Sequence, residues 1–316
     1  MVKGTSMVGI GSVEELSHIA RAFPTASFEL SYNREKEGLE DWLNAVEGRI
    51  ASVHSLSPMR RYFPNFASPD KKVVAWSKEQ VLEDAVLARR IGAGIIVLHP
   101  GYLVSGLVPT SVSERSAMLS RSGLERFISV KKGSICTLSY IEEPEYRLAF
   151  LCMVENLSFL SDELAALGVK LAVENLNPRA GYLLVHPDEM IELARTTNLS
   201  FCLDVGHMLV SSALFGFDFL SSLAAVLGTG RVITVHMHSN PSKAEIYEDS
   251  HQSIRDNGFP FREVLELVER SGANLMLETL GGIEGGLLDD LGATFKTPSC
   301  VLAMPCTAGD PPSATS

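Results

Sequence analysis

The sequence contains no apolar run that approaches the ~20 residues needed to span a bilayer, so we expect no membrane-spanning helix. Its five cysteines are scattered and form no CxxC pair, which favours reduced thiols over a disulfide framework. Basic residues are outnumbered, 27 against 38 acidic ones, and the net charge of −11 argues against a broad non-specific grip on DNA or anionic lipid. The N-terminal segment has one lysine and no long apolar region, so we predict no signal peptide and a cytoplasmic location.

What the sequence does contain is a regular alternation of short apolar segments with helical patterns. VKLAVEN followed by PDEMIELARTT is typical of the series, which comprises eight strand candidates and seven helices between them. Continuous apolar strands alternating with helices predict a parallel sheet that is covered on both faces. Eight such units favour an α/β fold of the closed (β/α)8 TIM barrel type. A doubly wound open sheet is the alternative, although no GxGxxG or P-loop follows a strand.

We predict one domain over residues 1–283, with an insertion after strand four and a poorly structured tail over 284–316. The insertion covers about residues 102–144 and is polar and irregular. Its position directly after His99 favours a lid over the barrel mouth. The tail ends in CTAGDPPSATS, a composition typical of disorder, and a final helix after strand eight is poorly formed in the sequence.

Potential metal ligands stand at the ends of six consecutive predicted strands. In FCLDVGH, an apolar segment ends at Asp204 and a glycine turn delivers His207 three positions later. The C-terminal ends of barrel strands converge on one mouth, so ligands far apart in sequence are predicted to face a common point. Imidazole and carboxylate groups suit zinc, manganese or a related divalent ion. The other candidates at the strand ends are His54, His99, Glu174, His236, His238 and Glu278, and the motif DSH adds Asp249 and His251 in the loop after strand seven.

Taken singly, a histidine in a strand is more often a buried structural residue than a ligand, so the prediction depends on the set. His18 and His186 lie outside the strand-end pattern, and we interpret both as structural or surface residues. Glu29, in SFELS, is interpreted as the partner in a buried salt bridge.

Six motifs resemble those of the xylose isomerase-like TIM barrels: VLHPG, LAVEN, CLDVGH, VHMHSN, DSHQSIRDNG and LMLET. The resemblance covers about residues 5–282, apart from the insertion. That superfamily includes ketose epimerases, sugar-phosphate isomerases, inositol-pathway enzymes and endonuclease IV. The order of the motifs is specific to the superfamily and much less specific to any one activity.

Resemblance to the ketose epimerases implies one metal ion and proton transfer by two carboxylates. The matching ligands are Glu174, Asp204, His236 and Glu278. Glu174 and Glu278 would flank the substrate carbon, one removing a proton and the other returning it. The predicted substrate contacts are His207, His238 and Arg60. One departure is Ser242, which stands where these epimerases usually carry an arginine.

Resemblance to endonuclease IV implies three zinc ions instead. His54, His99 and Glu174 would hold the first ion. The second would be bound by Glu174, Asp204, His236 and Glu278, and the third by His207, Asp249 and His251. Clustered ions neutralise a phosphate, as phosphodiester cleavage requires. The loop after His54 would grip DNA through Arg60, Arg61, Tyr62 and Phe63.

The sequence therefore predicts an enzyme that depends on one to three divalent ions. We favour an isomerase or epimerase acting on a sugar or sugar phosphate, because many superfamily members act on sugars and the chain is acidic. The alternative is an endonuclease IV-like phosphodiesterase, with DNA as its partner. A catalytically inactive barrel that serves as a binding module is a third possibility, and the intact ligand set counts against it. A homo-oligomer is compatible with the sequence.

Overall fold

The computed structural model describes residues 1–243 and 246–296, and its centre is a closed barrel of eight parallel strands, as predicted. Each strand pairs with the next in chain order, and the eighth closes on the first. The barrel strands are β1 (Lys3–Ser6), β2 (Ser27–Leu30), β3 (Ile50–His54), β4 (Ile95–Leu98), β5 (Lys170–Glu174), β6 (Ser200–Asp204), β7 (Val232–Met237) and β8 (Asn274–Leu277).

α-Helices surround the barrel, and several begin at a side chain that caps their first turn. Ser12, Asp70 and Asp218 each accept a hydrogen bond from a first-turn amide, which satisfies a donor that the helix leaves unpaired. The helices in the described residues are α1 (Val13–Ala22), α2 (Leu39–Ala45), α3 (Lys71–Arg90), α4 (Val112–Arg121), α5 (Pro144–Ala166), α6 (Pro187–Thr196), α7 (Val205–Phe215), α8 (Phe219–Gly228), α9 (Phe261–Ser271) and α10 (Leu287–Lys296). None of them is long and apolar enough to cross a membrane.

Strand alternation decides which side chains reach the barrel axis. Ala172 and Cys202 pack in a small buried cluster inside the barrel, whereas Val173 and Leu203 pack in the main core between barrel and helices. Side chains two residues apart on a strand lie on the same face. Glu174 and Asp204 therefore share the inner face with Ala172 and Cys202, at the C-terminal ends of their strands.

Three local predictions need correction. The tail is not unstructured from residue 284, because residues 287–296 form α10, which buries Leu287 and Leu291 against the core. The rest of the predicted tail, 297–316, lies outside the described residues. The insertion is not irregular throughout: it contains α4 and one short strand pairing, and a second pairing joins it to residues 62–63. It also buries Phe127 and Tyr140 in the main core. Apolar burial outweighs the polar composition in both segments.

The third correction concerns the motif FCLDVGH. The residues after Asp204 do not form an isolated glycine turn but the first turn of α7. Asp204 is the N-cap of that helix, and its Oδ1 accepts a hydrogen bond of 2.6 Å from the amide of His207. A capping aspartate and the third residue of its helix are held close together. The helix thus fixes the Asp204–His207 spacing that the sequence shows.

Candidate metal centre

The structure brings all nine of the predicted metal ligands to the C-terminal mouth of the barrel. They form adjacent groups whose nitrogen and oxygen atoms lie within 4.8 Å of one another, and neighbouring groups share members. The groups are His54, His99 and Glu174; Glu174, Asp204 and His236, with Glu278 beside His236; and His207, Asp249 and His251, joined by His238.

In the first group, two histidines point one ring nitrogen each at the same carboxylate oxygen. Nε2 of His54 lies 3.0 Å from Oε2 of Glu174, and Nε2 of His99 lies 3.5 Å from it. The other nitrogens are occupied: Nδ1 of His54 is 2.9 Å from the carbonyl of Ser55, and Nδ1 of His99 is 3.1 Å from the hydroxyl of Tyr102. Such outer contacts orient a ring and leave its second nitrogen available as a ligand.

The second group centres on His236, which lies fully buried between carboxylates. Its Nδ1 is 3.3 Å from Oε1 of Glu174 and 3.5 Å from Oε1 of Glu278. Its Nε2 is 3.0 Å from Oε1 of Glu29, in the buried ion pair that we expected for Glu29. Ser52 donates a hydrogen bond to the same carboxylate. A carboxylate behind a histidine in this way fixes the tautomer and raises the basicity of the nitrogen opposite.

The third group uses the loop after β7, as the DSH motif predicted. Nε2 of His207 lies 3.4 Å from Oδ2 of Asp249, and Nε2 of His251 lies 3.3 Å from Oδ1 of the same aspartate. Nδ1 of each ring faces a backbone carbonyl, Asn175 for His207 at 2.9 Å and Glu278 for His251 at 3.1 Å. Both histidines therefore present Nε2 to Asp249.

His238, predicted as a substrate contact, is fully buried beside the third group. Its Nε2 is 3.1 Å from Oδ1 of Asp204, and its ring stacks on that of His251 with centroids 3.7 Å apart. The ring lies directly against Gly206, where a Cβ atom would fall 2.1 Å from its Cε1. The glycine of the DVGH motif is thus required for close packing rather than for a turn.

Arg60, the other predicted substrate contact, is held on the outer helical layer. Its guanidinium binds Asp84 at 2.9 Å and Glu83 at 3.0 Å, both on α3. In residues 1–243 and 246–296, no hydrogen bond or ion pair links it to the nine ligands. His18 is exposed on α1 and His186 caps α6, so neither belongs to the centre.

Several residues that hold the ligands in place were not predicted. Asn175 bonds the backbone of Asp204 in both directions, and Asn240 accepts hydrogen bonds from the amides of Ser250 and His251. Each asparagine comes just after a strand-end ligand in the sequence, a signal that could have been used. Asp290 had no such signal, because it stands in the segment predicted to be unstructured.

From α10, Asp290 braces two parts of the site. Its carboxylate accepts hydrogen bonds from Ser253 at 2.6 Å and from Thr279 at 2.8 Å. Ser253 lies two positions after His251, and Thr279 directly follows Glu278. The final helix therefore positions ligands of both the second and the third group.

The ligands form a tightly coupled set of opposite charges. Burial alone would raise the pKa of Glu174, but the neighbouring His236 and His54 hold it well below its usual value. Burial alone would lower the pKa of His207, but the nearby carboxylates of Asp204 and Asp249 raise that pKa well above its ordinary range. His99 differs, because burial lowers its pKa to about 3 and keeps its imidazole neutral. Opposite charges within a few ångströms favour the ionised forms.

The donor set fits divalent ions. In a neutral His251 whose Nδ1–H donates to the carbonyl of Glu278, Nε2 carries a lone pair that faces Oδ1 of Asp249. That buried oxygen receives no hydrogen bond from any residue the structure describes. Two facing lone pairs require a cation between them, either a proton or a metal ion. Likewise, in a neutral His54 whose Nδ1–H donates to the carbonyl of Ser55, the lone pair of Nε2 faces Oε2 of Glu174.

Comparison with known proteins agrees with the fold. The family model for the xylose isomerase-like TIM barrel matches residues 16–286. The chain belongs to this family. No curated protein sequence matches it.

Among solved structures of this fold, a D-tagatose 3-epimerase-like protein is 18% identical, with a TM-score of 0.63 over 93% of this chain and 94% of that one. The 3-keto-D-glucoside 4-epimerase YcjR from E. coli is 10% identical, with a TM-score of 0.62 over 94% and 100%. D-psicose 3-epimerase from Clostridium cellulolyticum H10, solved with D-tagatose, is 12% identical, with a TM-score of 0.58 over 93% and 92%. At such identities the likeness concerns the fold. This xylose isomerase-like barrel carries buried ligand groups that are consistent with divalent metal binding.

Proposed function

We propose that this barrel is a divalent-metal-dependent isomerase or epimerase acting on a sugar or sugar phosphate. The observation that carries the proposal is the convergence of two carboxylates on one atom. Oε1 of Glu174, at the end of β5, and Oε1 of Glu278, after β8, lie 3.3 and 3.5 Å from Nδ1 of His236. The strands that supply them lie on different sides of His236, because β7 separates β8 from β6 and β5 in the barrel.

The proposed chemistry gives Glu174 and Glu278 two roles, as metal ligands and as proton carriers. Glu174, Asp204, His236 and Glu278 would hold the ion, which when bound would polarise the carbonyl and hydroxyl oxygens of the sugar. Of Glu174 and Glu278, one removes a proton from the carbon next to the carbonyl and the other returns it. Both carboxylates are nearly inaccessible, at 1% and 6% exposure, and exclusion of bulk water strengthens the electrostatic interactions around them. Glu29 holds His236 in the orientation that presents Nδ1.

Two further considerations support a small sugar substrate over DNA. The similar solved structures include epimerases named for D-tagatose, D-psicose and 3-keto-D-glucoside. Arg60, the first arginine of the loop expected to bind DNA, is ion-paired with Asp84 and Glu83. Contacts to the phosphate backbone dominate affinity for nucleic acid, and a chain with a net charge of −11 offers that backbone a poor electrostatic approach.

The test is exchange of a carbon-bound proton with solvent. The purified protein, supplied with Mn²⁺ or Zn²⁺, is incubated in D₂O with a panel of ketoses, aldoses and their phosphates, and NMR follows the hydrogens next to the carbonyl. Deuterium should enter the substrate that is isomerised, since a carboxylate that carries the proton equilibrates with solvent. A metal-loaded protein that exchanges no hydrogen in any member of the panel would count against the proposal.

A second candidate, a phosphodiesterase of the endonuclease IV type, is favoured by one observation. The third group, His207, Asp249 and His251, is fully assembled beside the other two, and a single-ion isomerase has no need of it. Cleavage of DNA containing an abasic site, assayed with added Zn²⁺, separates the candidates. Cutting at the abasic position by the wild type, lost in Glu278→Gln, would replace the isomerase proposal with this one.

A further inference from the structure

A cavity of about 300 Å³ opens between the insertion and two loops of the barrel mouth. The insertion contributes Val130, Lys132 and Gly133, the loop after β5 contributes Arg179, and the loop after β7 contributes residues 246–250. Asp249, a member of the third ligand group, forms part of the lining. A molecule in the cavity can therefore reach toward the centre, and nothing in the proposed chemistry has yet used this space.

Most of the charged side chains that line the cavity already have partners of opposite charge. Lys132 is ion-paired with Glu248, and Asp249 faces His207 and His251. Arg179 is half-buried, and within the described residues its guanidinium has no acidic partner and donates no hydrogen bond. Its free charge is thus the one that the cavity presents to a ligand.

The backbone of Arg179 is held in a defined place. Its amide donates to the carbonyl of Asn177 at 2.8 Å, its carbonyl accepts from the amide of Tyr182 at 3.0 Å, and it forms an isolated bridge with Ile135 of the insertion. The insertion and the arginine are therefore fixed against each other. A guanidinium on a fixed backbone has less freedom to lose when it binds an anion.

A buried polar atom of the cavity lining also lacks a partner. Ser250 lines the cavity, and its hydroxyl oxygen is buried and has no hydrogen-bond partner among the described residues. Nδ2 of Asn177 meanwhile donates to Oδ2 of Asp249 at 2.6 Å. Buried hydroxyls are normally paired, so an unpaired one in a cavity that Arg179 also lines points to a ligand that accepts hydrogen bonds.

We propose that this cavity binds the phosphate group of the substrate, with Arg179 as its charged contact and Ser250 as a hydroxyl donor. The inference rests on the proposed function and narrows it to sugar phosphates. The guanidinium offers paired N–H donors that match phosphate oxygens, and the Ser250 hydroxyl adds a further donor. The insertion, expected from sequence to be a lid, then serves as one wall of a specificity pocket.

The first experiment measures binding of inorganic phosphate to the metal-loaded protein by equilibrium dialysis, with acetate as a second probe. Arg179→Gln should weaken phosphate binding about ten-fold or more, because a charge-assisted contact is lost. Arg126→Gln is the matched control. It removes the same charge from the insertion, at an exposed residue paired with Glu145, and should bind phosphate as the wild type does. Melting temperatures of the variants check that the fold is retained.

The results separate this inference from the proposed function. If Arg179→Gln bound phosphate within two-fold of wild type, or if acetate bound more tightly than phosphate, the phosphate pocket would be refuted. In turnover, Arg179→Gln should raise KM for a phosphorylated sugar and leave the same sugar without phosphate unaffected. Absence of isomerase activity on any sugar, combined with the ten-fold loss of phosphate binding, would refute the isomerase and leave the pocket standing.

Discussion

Oε1 of Glu29 lies 3.0 Å from Nε2 of His236, with both side chains fully buried, and the opposite nitrogen of that ring faces Glu174 and Glu278. Glu29 thus acts on the centre through His236 and is a positioning residue.

We expect Glu29→Gln to weaken metal affinity about 10- to 100-fold, as loss of an outer carboxylate does in other metal sites. Competition with a chromogenic chelator measures it. Glu189→Gln, which alters another buried glutamate outside the centre, should leave affinity unchanged; an equal loss in both variants would contradict the role of Glu29.

The two carboxylates at Nδ1 of His236 give a second prediction. Glu174→Gln and Glu278→Gln keep the shape of the side chain but remove the proton carrier, so we expect turnover of the sugar substrate to fall about 100-fold or more in each. Steady-state kinetics with saturating metal measures the loss. Exposed Glu192→Gln on α6 is the control. Near-wild-type turnover in both site variants would show that the proton is carried elsewhere.

The third ligand group separates the two candidate functions by metal stoichiometry. A single-ion isomerase should keep its full metal content in the double variant Asp249→Ala/His251→Ala, as we expect, whereas a phosphodiesterase of the endonuclease IV type should lose one ion per chain, because a site needs all of its ligands in place. Elemental analysis of the purified proteins counts the ions. His186→Ala, which removes a histidine that caps α6 away from the centre, should keep the full number. Identical metal content in the double variant and the wild type would mean that this group binds no ion.

The fold and the ligand set could be predicted because each depends on local pattern repeated many times. Alternation of apolar strands with helices defines the barrel, and barrel closure then brings the strand ends together. His54 and Glu174 meet at 3.0 Å across 120 positions for that reason alone. What the pattern lacks is information on partners outside the strands. Arg60 was assigned to substrate because its loop follows His54, and only the packed structure shows that Asp84 of α3 binds it.

In the C-terminal segment, the structure contains a packed helix that the sequence does not predict. The composition of the segment favours disorder, yet Leu287 and Leu291 are buried and Asp290 accepts hydrogen bonds from Ser253 and Thr279. Tertiary packing outweighs weak local propensity there. Because the partners of Asp290 are 37 and 11 positions away, no short window of sequence contains the signal.

Gly206 gives a prediction about packing. A Cβ atom at this position would lie 2.1 Å from Cε1 of His238, whose Nε2 contacts Asp204. We expect Gly206→Ala to displace the imidazole, to weaken metal binding and to lower the free energy of unfolding by about 1–3 kcal/mol, as overpacking does. Urea denaturation and metal analysis measure the two effects. Gly228→Ala is the control, because a Cβ there meets nothing within 4 Å. Equal stability of both variants would show that His238 moves aside freely.

Glu189 gives a prediction about pH. Burial raises its pKa from 4.5 to about 7, although Tyr146 and the amides of Val185 and His186 hydrogen-bond its carboxylate. The folded state therefore holds the proton more tightly than the unfolded chain does. Its contribution to stability is complete below the unfolded pKa and is lost as the pH rises through the folded value. The free energy of unfolding should fall between about pH 5 and about pH 8 by up to about 3 kcal/mol from this group.

Glu189→Gln removes that titration, since an amide binds no proton in this range. Urea midpoints measured at both ends of the pH interval should fall less in Glu189→Gln than in the wild type. Glu192→Gln alters a half-exposed glutamate on the same helix and should keep the wild-type pH dependence. If wild type and Glu189→Gln lost stability equally with rising pH, the buried carboxyl would already be ionised at the acid end. The three hydrogen bonds it accepts would then outweigh the cost of burying its charge.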